Sequence, residues 1–327
     1  MKTAREFLGI PDNQGYEVLL APSVCIEETK EGPINNHFSK IPVSLKRRVS
    51  GTSLNIALAL TQVFDKSIKL LGCVSADAYE PNNAYLQTHV GNLGIDFHPL
   101  PVYDHTSVST LIIDSVSDKS SENLTLSTKG KLVKPEAAVK EIRNQIKVCC
   151  PDIIMATGVT DNDYPLVKVL FETEKSFRIL NPRPELLRKV SLDEIKGIDL
   201  LIINHEELSC CLDKEIKADK IKPKDVLPCH EMGIPFVIVT LNHHGMIFSG
   251  GGGLNFFRPA IKLGPAISST GTGDAFASAF IAAALEDLTL EECILWARVF
   301  AGLKVTRTGG SNIPTAEEFK ETLEKNS

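Results

Sequence analysis

Residues 268–280, Ser-Ser-Thr-Gly-Thr-Gly-Asp-Ala-Phe-Ala-Ser-Ala-Phe, hold the most chemically suggestive spacing in the chain. Gly271, Thr272 and Gly273 lead into Asp274 and then a run of helix formers. A loop that turns into a helix leaves backbone N–H groups without intrahelical partners and aims the positive end of the helix dipole at one point. That point suits an anion, above all a phosphate. Asp274, in the first turn, favours the helix but would repel a bare anion. The two features fit together if Asp274 faces a hydroxyl while the N–H groups of Gly271, Thr272 and Gly273 face a phosphate beside it. Phosphoryl transfer needs both, a base near the attacking oxygen and donors for the transferring group. A Gly-x-Gly-Asp alone would read as a plain helix cap. The helix after it is almost wholly small and apolar, so it must be buried, and a buried helix with a carboxylate at its mouth points to a site.

Other residues could complete such a site. Asn204 and Glu207 close the apolar run Leu201-Ile202-Ile203, and an amide and a carboxylate three apart can hold a hydrated magnesium ion through water. Capping of the next helix by Asn204 explains the same spacing. Thr240-Leu241-Asn242-His243-His244-Gly245 follows another strand-like run. Its two adjacent histidines in a turn rarely face one ion, so no metal is read there. Gly51 precedes a helical pattern on which Asn55 is an amide among apolar residues, which wants a polar partner, either a sugar hydroxyl or a neighbouring loop. Arg183, at the end of a strand, can hold a carboxylate or phosphate or lie solvated. The glycines at 250–253 make no phosphate loop, because neither Lys-Ser/Thr nor a helix follows them.

These residues need a frame. The chain has 327 residues, 43% of them hydrophobic, enough for one large α/β domain or two small ones. A net charge of −6 gives no electrostatic case for nucleic acid or an anionic membrane. No run approaches a membrane span, and the first residues lack the apolar core of a secretory signal. Eight cysteines without a C-x-x-C pair read as reduced thiols, hence a cytoplasmic protein and a chance sequon at Asn123. Strand-like and helix-like runs alternate over most of the chain, which predicts a mostly parallel sheet with helices on both faces and a ligand at the carboxyl ends of its strands. Residues 27–48 and 95–128 break that rhythm; the latter read as a hairpin with a polar turn over 114–122, and the two together as a small β lid. Residues 1–15 read as a loosely attached arm, and 16–327 as the domain.

Thr270-Gly271-Thr272-Gly273-Asp274-Ala275-Phe276 resembles the Thr-Gly-Ala-Gly-Asp-Ala-Phe motif of ribokinase-like sugar and nucleoside kinases, the phosphofructokinase B superfamily. Further segments match in chain order. Ser50-Gly51 through Asn55 and Ala57 is similar to the family's sugar-binding Gly-Gly-x-x-x-Asn-x-Ala, with Ser50 for the first Gly. Asn181-Pro182-Arg183 is similar to its Asp-x-Asn-x-Arg turn, with Ile179 for the Asp. Asn204 and Glu207 match its Asn-x-x-Glu, and Thr240 to Gly245 its nucleotide segment Thr-Leu-Gly-x-x-Gly, with Asn242 for the first Gly. The segment from Gly302 to Thr315 matches the closing segment.

The resemblance implies a three-layer α/β sandwich with a β lid and transfer of phosphate from ATP, with Mg²⁺, to a small sugar-like molecule. Asp274 would be the base and Gly271, Thr272 and Gly273 the anion loop. Asn204, Glu207, Thr240, Asn242 and Gly245 would lie on the ATP side, and Gly51, Asn55 and Arg183 on the substrate side. A homodimer through the lid is left open. A nucleoside kinase and a catalytically silent ligand-binding relative are the alternatives. Two departures stand out. Ser268 occupies a position where the family has an Asp, which counts against a bound potassium ion. The family's first strand delivers an Asp to the sugar, whereas here Glu27 comes one position late, with Ile26 at the expected place. Alternation of strand side chains would turn Glu27 away from the pocket. The expectation is then a substrate less polyhydroxylated at that end, or one carrying an anion for Arg183.

Overall fold

The structure, a computed structural model, describes residues 2–32, 44–114, 124–250 and 252–326. Parts of three sequence readings lie outside the described residues: the middle of the 27–48 segment, the polar turn at 114–122 with Asn123 of the sequon, and Gly251 in the glycine run. Thirteen strands are described: β1 Val18–Pro22, β2 Cys25–Gly32, β3 Ser44–Ser50, β4 Ile68–Ser75, β5 Asp96–Tyr103, β6 Val108–Asp114, β7 Leu124–Thr128, β8 Ile153–Val159, β9 Phe177–Pro182, β10 Leu200–Asn204, β11 Phe236–Thr240, β12 Met246–Gly250 and β13 Asn255–Arg258. Nine form one sheet in the order β13-β12-β11-β10-β9-β8-β1-β4-β5. All its pairs are parallel except β11–β12 and β12–β13, the hairpin expected around the glycine run.

Strand β1 shows why the sheet is covered on both faces. All five of its residues are buried, and successive side chains point to opposite faces. Val18 and Leu20 join one apolar core, Leu19 and Ala21 the other. The first core lies under the helices Thr52–Gln62, Thr272–Leu285 and Leu290–Lys304. The second lies under Pro135–Cys149, Tyr164–Leu170 and His205–Cys211. Thr272–Leu285 is the central brace of the first layer. Every residue from Ala275 to Leu285 is buried, and its small side chains let flanking helices approach closely.

The remaining strands form a second sheet, β3-β2-β6-β7, with the expected β6–β7 hairpin antiparallel. Only Ser23 and Val24 separate β2 from the end of β1, and only Gly51 separates β3 from Thr52–Gln62. The small sheet is therefore anchored at the carboxyl end of the large one.

Two expectations are corrected. Residues 96–103 do not belong to the lid, since β5 pairs in parallel with β4 at the edge of the large sheet. The apolar residues Leu100, Val102 and Tyr103 are buried in the second core. The opening residues are docked rather than loose. Thr3 and Glu6 form a capping box on the helix Ala4–Leu8, Ala4 N–H donates to Leu288 O at 2.6 Å, and Arg5 pairs with Asp152 at 2.7 Å. Ala4, Leu8 and Ile10 are buried in the first core. A five-residue helix carries too little periodicity to be seen in sequence. Leu8→Ala should cost about 2 kcal/mol or more of unfolding free energy, as for other large-to-small core changes. Urea unfolding measures this, and an unchanged midpoint would return the segment to a loose arm.

Candidate active site

A cleft of about 350 Å³ opens where the two sheets meet. The ends of β9, β10 and β11 supply Asn181, Pro182, Arg183, Asn204 and Thr240 to its wall. Cys25 and Glu27 of β2, Ser50, Gly51, Thr52 and Asn55 supply the opposite side. Ser269, Thr270, Gly271, Gly273 and Asp274 close the base, and Glu207 lies between. Most residues singled out in the sequence are thus brought together. Asn242 and Gly245 are not in this wall; they shape the turn behind Thr240. Asn242 holds a left-handed φ of 52°, a conformation Asn tolerates better than most residues. A side chain at Gly245 would collide with the Arg258 carbonyl.

Asp274 is fixed from across the cleft. Asn55 Nδ2 donates to its Oδ2 at 2.7 Å. The Asn55 amide, on the buried stretch of the Thr52–Gln62 helix, therefore has a protein partner, and its visible donor work is to orient the carboxylate. Ser50 Oγ lies 3.2 Å from Asn55 Oδ1 and 3.4 Å from a Glu27 oxygen, and its single proton can serve one of them. Burial pushes the Asp274 pKa above the ordinary range, while Asn55, Arg183 and Lys304 pull against that rise. A raised carboxylate pKa moves a base toward neutral operating pH.

Glu27 overturns the expectation drawn from its position. It is 4% exposed and faces the cleft, where Gly310 N–H donates to it at 3.2 Å. β2 pairs without a bulge on either side, and Ile26 packs in the core. Val24 and Ile26 are the apolar residues of the alternation, so they take the inner face and leave Cys25 and Glu27 for the cleft. The register follows burial, not the count of residues from a motif. The cleft has its carboxylate, and the reason for expecting a less hydroxylated substrate falls with it.

The loop before Asp274 is also refined. Gly271 adopts φ 76°, with the Gly310 backbone packed against it. Thr272 N–H is already used on Ser269 O at 3.1 Å, which leaves the N–H groups of Gly271 and Gly273 as candidates for an anion. Nothing lies within 4 Å of where a Gly273 side chain would start, so the space before it is open. Beneath the loop lies a residue that sequence reasoning missed. Lys304 is 0% exposed, and its Nζ donates to Thr270 O at 2.8 Å and Gly309 O at 2.9 Å. Its signal was present, since Cys293, Ala297, Phe300 and Lys304 fall on one helical face whose other members are apolar and buried.

Asn204 and Glu207 form a reciprocal capping box at 2.8 Å in each direction. The capping explanation of their spacing therefore holds, and both residues nevertheless line the cleft. Burial raises Glu207 to about 7, with Asn204 N–H and Arg183 opposing and Glu206 and Asp274 adding to the rise. Arg183 is the guanidinium of the wall, 3.4 Å from Thr52 Oγ1.

With this geometry in view, comparison with known proteins is informative. Residues 33–316 match the model of the pfkB family carbohydrate kinases. The chain belongs to that family. Among curated relatives, a ribokinase of Haemophilus influenzae is 30% identical over 148 residues, 45% of this chain and 47% of the relative. A ribokinase of Arabidopsis thaliana is 30% identical over 129 residues, 39% of this chain and 34% of the relative. The chain thus spans less than half the length of these two relatives. A nucleoside kinase of Methanocaldococcus jannaschii aligns at 25% identity over 90% of this chain and 91% of its own. The crystal structure of phosphofructokinase-2 from Escherichia coli superposes with a TM-score of 0.75 at 14% identity, covering 95% of this chain and 99% of that one. At that identity the likeness speaks for the fold, the three-layer pfkB architecture described above.

The Glu207 environment should make stability depend on pH. Between the ordinary 4.5 and about 7, the folded protein keeps a proton that the unfolded chain has lost. Stability should fall as pH rises through that window, by on the order of 3 kcal/mol. Denaturant unfolding at pH 5 and 7.5 without divalent ions should show that fall, and Glu207→Gln should flatten it. An identical slope in the variant would mean that Glu207 ionises normally.

Proposed function

We propose that the protein transfers the γ-phosphoryl group of ATP to a hydroxyl of a small sugar or sugar-like molecule. The observation that carries this reading is Asp274, held by Asn55 inside the cleft, at the start of a buried helix whose first N–H groups border open space. In this reading Asp274 takes the proton of the attacking hydroxyl as the O–P bond forms. The N–H groups of Gly271 and Gly273 stabilise charge on the transferring group. Asn55 keeps Asp274 oriented, and Gly51 lets the chain turn into the Thr52–Gln62 helix with φ 113° against the Ser23 carbonyl. Glu27 accepts substrate hydroxyls, since an ionised acceptor makes the stronger hydrogen bond. Arg183 offers a positive charge on the same side.

The residues also fit a nucleotide with Mg²⁺. The open face of Gly273 leaves room for phosphate, and Thr240, Asn204 and Glu207 lie beside it. Asn204 and Glu207 would hold the ion through water, because Mg²⁺ retains most of its hydration and needs few carboxylates. Bound Mg²⁺ would supply charge neutralisation for the phosphates. A nucleoside acceptor is the second reading, favoured by the alignment with the archaeal nucleoside kinase along 90% of the chain.

A panel of sugars and nucleosides assayed for ADP production identifies the acceptor. Asp274→Asn should then cut kcat by on the order of 10²–10⁴, the usual worth of a positioned base. A variant that keeps most of its rate would reduce Asp274 to a helix residue. Glu207→Gln should raise the Mg²⁺ concentration for half-maximal rate, and an unmoved midpoint would leave Glu207 with capping alone. Glu27→Gln should raise KM for the acceptor roughly tenfold, the scale of one charge-assisted hydrogen bond, with KM for ATP unmoved. Equal effects on both would place Glu27 outside the acceptor pocket.

A further inference from the structure

Lys304 is the last residue of the helix Leu290–Lys304, and its side chain leaves that helix for another segment. Its two hydrogen bonds join the Thr270 carbonyl, in the loop before Asp274, to the Gly309 carbonyl. Gly309 and Gly310 in turn touch the cleft: the Gly310 backbone packs on Gly271, and its N–H donates to Glu27. No carboxylate lies within ion-pairing distance of Lys304 among the described residues. A fully buried ammonium without an ion pair is costly, and a methionine would fill the same space without that cost. The charge is therefore there for what surrounds it. Carbonyl oxygens point at it from two chain segments, and Asp274 and Glu27 lie in its field, with Arg48 and Arg307 opposing.

We infer that Lys304 is a positioning residue for phosphoryl transfer: its ammonium is a tethered internal cation that ties the Thr270 loop to the Gly309 turn and keeps the N–H of Gly271 aimed into the cleft. This rests on the reading of that loop as the anion site. In a rigid trans peptide the C=O and the following N–H lie in one plane and point in opposite directions, so a carbonyl turned toward a cation turns the next N–H away from it. Thr270 O faces Lys304, so the N–H of Gly271, in the same peptide unit, points away from it. Burial lowers the Lys304 pKa to about 8, and Asp274 and Glu27 limit that fall. The cation belongs to the chain, so the protein should need no added monovalent cation to order the loop.

Four proteins decide this: wild type, Lys304→Met, Lys304→Ala and Asp274→Asn. The wild-type rate should be the same in sodium and choline salts. Lys304→Met, close in volume but uncharged, should remain folded by circular dichroism. Its kcat should fall by on the order of 10², the scale for misplaced oxyanion donors, with KM for ATP and acceptor within a few-fold. In Lys304→Ala, ammonium or methylammonium should restore at least about tenfold of the lost rate by entering the vacated space between the carbonyls. Tetramethylammonium, too large for it, should restore nothing. Full kcat in Lys304→Met would overturn the inference, as would a folded Lys304→Ala that no small cation rescues, or a wild type that requires a monovalent cation. If Lys304→Ala does not fold, Lys304→Met alone decides. Loss of rate in Asp274→Asn with full rate in Lys304→Met sinks only the clamp. Full rate in Asp274→Asn sinks the base mechanism itself.

Discussion

The hydrogen bond from Asn55 to Asp274 joins residues 219 positions apart. It exists only because two helices are buried side by side on one face of the sheet. Thr52–Gln62 is buried from Thr52 through Leu60, and Thr272–Leu285 from Ala275 onward. Close-packed interiors allow little sliding, so the amide and the carboxylate meet at a set height above the strand ends. Both helices are rich in alanine and serine, whose small side chains leave room for close approach. Larger side chains there would push the helices apart and open the 2.7 Å contact.

The same neighbourhood concentrates charge. Glu27, Glu207 and Asp274 line one small cleft with Arg183, and Lys304 lies beneath. Burial disfavours the charged form of a carboxylate, and a neighbouring carboxylate adds to that. Glu207 and Asp274 are accordingly raised, and Arg183 opposes the rise at both. Such a field is uncomfortable for the folded protein alone and suited to a ligand that brings its own cation or proton. Perturbed acids in a cleft are a common property of sites.

The small sheet completes the enclosure through the chain path. Because β2 leaves the end of β1 after two residues, and β3 returns through Gly51 into the Thr52–Gln62 helix, its base must sit over the strand ends. Glu27 enters the cleft on that sheet, and the Gly310 turn arrives from the other end of the chain to meet it. The cleft is thus built from both halves of the sequence.

Much of this was legible from local pattern. Strand and helix alternation predicted the parallel sheet, and the capping boxes that the structure contains at Ser191, Thr289 and Thr315 each join residues three apart. These signals depend on neighbours three or four residues away, which a sequence displays directly. Asp274, Gly271, Asn55 and Arg183 could be singled out because polar groups beside buried runs demand partners. The docking of the Ala4–Leu8 helix depends on Leu288, Asp152 and the core, and nothing within five residues announces it. Long-range contacts settled the remaining points. Asn55 spent its amide on Asp274, and Lys304 reached Thr270. For Glu27, the sequence carried the apolar alternation of Val24 and Ile26 but not which face of β2 the core would claim. Sequence alone determined which residues must pair with something, and tertiary structure decided with what, because each partner lies across a core that only the whole chain can bury.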